Sequence, residues 1–150
     1  MSRQATGRIV AIGVGCRAGV AGEVIAALAR RALKEAGSPE GERRMFTLAA
    51  KADEPGLIEA ARIIGVTLMA LPLAALNAQA ERILTPSALA LARFGAPNIA
   101  EAAALAGAGE GGRLLGPRLA ADGATCAIAL SPERPCDGAA CAVALTPKQR

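Results

Sequence analysis

Arg8–Val14 is a continuous apolar run bounded by glycine, the pattern of a strand buried on both faces of a parallel sheet. From Gly22 to Ala36 the period lengthens. Val24, Ile25, Leu28, Ala32 and Leu33 share one face while Arg30, Arg31, Lys34 and Glu35 fall around the rest, which predicts an amphipathic helix ended by Gly37. After the loop "GSPEGE", Met45–Ala49 reads as a second short strand. Pro55-Gly56 opens another helix to about Ile64, with Leu57, Ile58 and Ala61 inward. Val66–Leu71 is then a third strand and Pro72–Gln79 a short helix. "TPS" at Thr85–Ser87 starts a helix that Gly95 closes. Asn98–Glu101 is a capping-box-like start to the helix Ile99–Ala106, which Gly107 is expected to end. Arg113–Gly116 and Thr125–Leu130 are further strands.

Strands alternating with helices in this order predict an α/β fold, a three-layer αβα sandwich around a mixed, mostly parallel sheet of about five strands. Residues 1–130 form one domain on this reading. Residues 131–150 are a C-terminal extension, either an edge strand or a partly ordered tail. Within that extension "AACAVAL" nearly repeats the "ATCAIAL" of the last strand.

Composition narrows the chemistry. Alanine supplies 38 of the 150 residues, and the only aromatic side chains are Phe46 and Phe94. The core is therefore built of small and branched aliphatics, and stacking of bases or haem on aromatic platforms is excluded. Net charge is +4 with the arginines scattered, which suits an anionic small molecule better than nucleic acid. Histidine is absent and the four cysteines form no CxxC pair, which argues against a metal site and against histidine as a general base. The cysteines read as free thiols in a reducing cytoplasm, with a disulfide among Cys126, Cys136 and Cys141 left open. Ile63–Ala80 carries no charge, but Gly65, Pro72, Asn77 and Gln79 break it into strand, turn and short helix rather than a membrane span.

Two loops hold the candidate chemistry. If the first two strands are parallel, "GVGCRAG" and "KADEPG" open on one sheet edge, outside the carboxyl ends of the strands, where open α/β sheets bind ligands. Gly13 and Gly15 let amide N–H groups approach an anion, and Arg17 offers a planar fork for a carboxylate or phosphate. The same glycines serve equally to turn the chain from strand to helix. A dinucleotide site is disfavoured, because the second strand runs into Ala49-Ala50-Lys51 rather than an acidic residue. Asp53 and Glu54 are candidate acid and base, or else complement the dipole of the following helix with Lys51 as partner. Cys16, read as lying at a helix N-terminus beside Arg17, is expected to have a lowered pKa.

"VAIGVGCRAGV", "KADEPGLIEAAR", "TPS", "FGAPNIAEAAAL", "RLLGPR" and "GATCAIA", in that order, resemble the CobE and CbiG C-terminal domain family of cobalamin biosynthesis over roughly Arg8 to Leu130. The resemblance implies an αβα fold and a precorrin or hydrogenobyrinic-acid-type corrinoid as ligand; an anion-receptive edge without an obvious catalytic set suits a carrier or stabiliser of it. The resemblance marks Gly13, Gly15, Cys16, Arg17, Lys51, Glu54, Gly56, Thr85, Ser87 and Glu101 as ligand-binding candidates. Glu101 is equally a cap. No cofactor or metal is expected. Neither is a nucleic-acid or membrane partner. Other enzymes of the pathway are expected partners in the cytoplasm. The alternative is a small hydrolase or lyase in which Glu54 or Asp53 activates water while Arg17 or Lys51 stabilises an oxyanion.

Overall fold

The computed structural model describes residues 8–84 and 99–132. Over these residues the elements run β1 (Ile9–Cys16), α1 (Gly22–Glu35), β2 (Glu42–Leu48), α2 (Pro55–Ile64), β3 (Thr67–Leu71), α3 (Leu73–Asn77), α4 (Ile99–Ala108), β4 (Arg113–Leu114), β5 (Leu119–Ala121) and β6 (Ala124–Leu130). The sheet is mixed and has six strands, ordered β3-β2-β1-β6-β4, with β5 also paired to β6. β1, β2 and β3 are mutually parallel, whereas β6 lies antiparallel against β1. β4 and β5 share the outer edge of β6 as a broken strand.

The pleat of β1 sorts its residues by size. Val10, Ile12 and Val14 point to one face, where they pack with Ile25, Leu28 and Leu33 of α1 and Leu57 and Ala60 of α2. Ala11 and Gly13 point to the other face, against α4. β6 repeats the division, with Cys126, Ile128 and Leu130 towards α1 and Ala127 and Ala129 towards α4. One interlayer is therefore made of branched aliphatics, each contributing about 1.5–3 kcal/mol on full burial. The other is mostly alanine and glycine, with Phe46 and Leu105 among them, and it gains much of its stability from closeness instead. A Cβ on Gly13 would lie 2.0 Å from the Ala100 carbonyl oxygen and 2.5 Å from the Ala104 nitrogen. Here is the physical use of the alanine-rich composition: it lets α4, itself "IAEAAALAGA", sit almost on the backbone of β1.

Several expectations are corrected by this packing. α4 continues past Gly107 because that glycine faces the Phe46 ring, where a Cβ would come within 2.3 Å of Cδ2. The helix stops at Gly109, whose φ of +86° is the left-handed terminus expected two residues earlier. Ile58 is half exposed rather than inward, the buried positions of α2 being Gly56, Leu57, Ala60 and Ala61. Gly13 and Gly15 lie inside β1 rather than in the loop after it. The expected strand at Arg113–Gly116 is shorter, and β5 follows it unpredicted. The expected helix after Thr85, and the extension beyond Pro132, fall outside the described residues. Among the described residues no helix is long and apolar enough to cross a membrane.

Candidate functional site

The parallel pairing of β1 with β2 ends at Gly13 and Phe46. Beyond it the Thr47 hydroxyl donates to the Val14 carbonyl at 2.8 Å, a buried side-chain bond standing where the ladder stops. The chain then leaves both strands at the same edge. Arg17–Ala21 connects β1 to α1, and Ala49–Glu54 connects β2 to α2. The two segments are in contact. Glu54 occupies the N-cap position of α2, yet its side chain makes no bond to that helix. Its Oε2 accepts the Gly19 N–H at 2.9 Å across the gap, and its Oε1 lies 3.7 Å from Lys51 Nζ. Both the Lys51 and Glu54 side chains are largely buried, at 15% and 13% exposure.

Glycine is required at two further points here. Gly56 is buried under the first loop, where a Cβ would come 2.1 Å from the Val20 carbonyl oxygen. Its part is thus to let the two loops meet. Gly19 has φ +87° and open space beside its Cα, and its amide donates to Glu54. Sequence reasoning singled out Gly13 and Gly15 and passed over Gly19. The signal available was its place between the strand and the amphipathic run, where a left-handed residue is needed to turn the chain.

Arg17 is exposed, and its N–H donates to the Gly123 carbonyl at 2.9 Å, which ties the loop to the β5–β6 turn. Arg17 and Lys51 thus lie at one edge of the sheet, Arg17 beside the β6 turn and Lys51 beside Glu54. Asp53 is exposed, in no ion pair among the described residues. With Asp122 in the β5–β6 turn, the edge gathers Arg17 and Lys51 against Asp53, Glu54 and Asp122.

Cys16 differs from its expected state. It is the last residue of β1, paired with Ala124, and α1 begins only at Gly22. Burial lifts its thiol above the ordinary value, Lys51 beside it pulls the other way, and Glu54 adds a smaller rise. The neutral thiol is favoured rather than the thiolate. Alkylation of Cys16 at neutral pH, followed by peptide mass mapping, should therefore be slower than that of a free thiol. Lys51→Met should slow it further and Glu54→Gln should speed it.

Cys126 is deeper still, and burial pushes its thiol up from 9.0 to about 12. Both thiols are free, and Cys136 and Cys141 lie outside the described residues. Above pH 9 the unfolded chain releases the Cys126 proton while the folded chain retains it to about 12. The unfolded state then binds fewer protons, so stability falls as pH rises across that window. Urea midpoints should decline above pH 9 in the native sequence, and the slope should be shallower in Cys126→Ala.

Glu101 is fully buried in α4. Its Oε1 accepts the Leu84 N–H and its Oε2 the Arg118 N–H, each at 2.8 Å. The carboxylate is a brace between two chain segments distant in sequence, not an exposed ligand group. Thr85 and Ser87 lie outside the described residues. Among the described residues no cluster of three or more cysteine, aspartate and glutamate side chains could hold a metal ion.

A recess of about 150 Å³ lies between the C-terminal end of α1 and the connection from Leu115 to Leu119. That is below the roughly 300–1,000 Å³ of small-molecule pockets.

Comparison with known proteins agrees with this fold. Residues 10–129 match the family described as Cobalamin synthesis G C-terminus. Protein CobE of Sinorhizobium sp is 37% identical over 119 residues, covering 79% of this chain and 77% of the relative. The crystal structure of CobE, a protein from the cobalamin (vitamin B12) biosynthetic pathway, superposes with a TM-score of 0.77 at 36% identity, over 85% of this chain and 94% of that one. The cobalamin biosynthesis protein chiG from Agrobacterium tumefaciens str. C58 gives a TM-score of 0.62 at 34% identity, over 83% of this chain and 99% of the other. The chain belongs to the Cobalamin synthesis G C-terminus family and is a CobE-like cobalamin biosynthesis protein.

Proposed function

We propose that this protein binds a corrinoid intermediate, of the precorrin or hydrogenobyrinic acid type, over the carboxyl edge of its parallel strands and carries it between enzymes of the pathway. The observation that supports this reading is the position of Arg17 and Lys51 on two adjacent loops at one edge. A macrocycle ringed by acetate and propionate groups needs cations spaced across a surface, and Arg17 offers an exposed, bidentate fork for one of them. The recess beside α1, at about 150 Å³, is too small for such a ligand, which this reading seats on the edge. Carriage is favoured over turnover because the edge lacks an obvious catalytic set: the sequence holds no histidine to serve as a general base.

The test is direct. Purified protein mixed with hydrogenobyrinic acid should shift the visible spectrum of the pigment and leave its mass unchanged. Arg17→Ala should weaken the binding by about tenfold, the equivalent of one charge-assisted contact. A product of altered mass, lost in Glu54→Gln, would establish hydrolysis or lysis instead. No spectral change at any protein concentration would refute both.

A further inference from the structure

Among the described residues, the two loops and the β5–β6 turn carry no excess of positive charge: Arg17 and Lys51 are matched by Asp53, Glu54 and Asp122, and Lys51 is already paired with Glu54. The geometry of that pairing is informative. An N-cap side chain ordinarily accepts from the second or third amide of its own helix. Glu54 leaves the amides of α2 alone and reaches to the neighbouring loop, where an amide N–H and an ammonium converge on its two oxygens. Gly19 has open space beside its Cα, and the loop around it is exposed. Such a pair of donors, brought together from two chain segments, makes a receptor for one carboxylate group.

We infer that Gly19 N–H and Lys51 Nζ form a carboxylate subsite whose resident occupant is the Glu54 side chain, which an acidic group of the ligand must displace. This rests on the proposed anion-binding role of the edge and adds its regulation: Glu54 is a built-in competitor that keeps the subsite filled until a multiply charged ligand, anchored elsewhere at Arg17, presents a carboxylate at high local concentration. A monocarboxylate lacking the second anchor is rejected. Displacement breaks no covalent bond. Glu54 swings from Gly19 and Lys51 into solvent, and the loop contact at Gly56 with Val20 remains.

Propionate, which carries a single carboxylate, is the probe. It is titrated into isotope-labelled protein at constant ionic strength while the Gly19 amide resonance is followed, with chloride as control. In Glu54→Ala the resonance should move saturably, with half-saturation at least tenfold lower than in the native sequence. Glu54→Gln keeps the volume and serves as the second variant, with the same direction expected. Adding Lys51→Met to either should abolish the response. Amide resonances of α4 and β6 report whether each variant retains the fold. A Gly19 resonance that ignores propionate in both folded variants, or half-saturation no lower than in the native sequence, overturns the inference. Failure of the pigment to bind the native protein would sink the carrier reading, yet it would leave the propionate response of the variants intact, so the two failures are separable.

Discussion

Gly13→Ala should cost this protein a large share of its folding free energy. The added methyl meets not side chains that could turn aside but the carbonyl of Ala100 and the amide of Ala104, atoms of a helix backbone. Overpacking a core typically costs about 1–3 kcal/mol when side chains can repack. A rigid helix pressed against a central strand puts Gly13→Ala at or above the top of that range, against a total stability of about 5–15 kcal/mol. Urea denaturation followed by far-ultraviolet circular dichroism should show a strongly lowered midpoint or no cooperative transition. The double variant Gly13→Ala/Ala104→Gly supplies the control. It removes the Ala104 methyl, 2.9 Å from the new Cβ, but leaves both backbone obstacles, so it should recover little. Full recovery would show that side-chain crowding alone sets the limit.

The second large effect is expected at Glu101. In Glu101→Gln one oxygen still accepts, but the amide nitrogen that replaces the other now confronts an N–H donor from Leu84 or Arg118. A partly buried donor left without its acceptor costs about 1–3 kcal/mol, and the loss of charge on the remaining bond adds to it. We expect a fall of about 2–3 kcal/mol in unfolding free energy, with faster hydrogen exchange at the Leu84 and Arg118 amides. An unchanged midpoint with weakened pigment binding would return Glu101 to the ligand site.

The layered fold was legible because its signals are local. An uncharged apolar run, a change of period at Gly22 and a Pro-Gly helix start each depend on neighbours a few residues away. The parallel order of β1 and β2 was a condition that the alternation of strand and helix suggested and the pairing fulfils; that the two loops touch, through Glu54 and Gly19, nothing in their sequence demanded. What was not legible depends on distance in sequence. Gly107 looks like a helix stop until Phe46 is placed beneath it. Glu101 looks like an N-terminal cap until Leu84 and Arg118 are brought to it. Cys16 was placed at a helix N-terminus on the assumption that Gly13 and Gly15 end the strand, whereas their lack of side chains is what lets the strand continue beneath α4. At the edge itself, the spacing of Lys51 and Glu54 offered their pairing, but no local signal showed that Glu54 would turn from its own helix to the Gly19 amide.

The seating of β6 beside β1 has a consequence for how the chain is made. Val10 pairs with Leu130 and Cys16 with Ala124, so the innermost strand of the sheet acquires its second neighbour from the far end of the domain. Pairings of such long range are slow to close. During synthesis the β1–β2–β3 unit must emerge with one flank of β1 bare, and with the alanine surface meant for α4 uncovered. Assembly therefore waits on the ribosome: the domain can complete its sheet only after position 130 has left the exit tunnel.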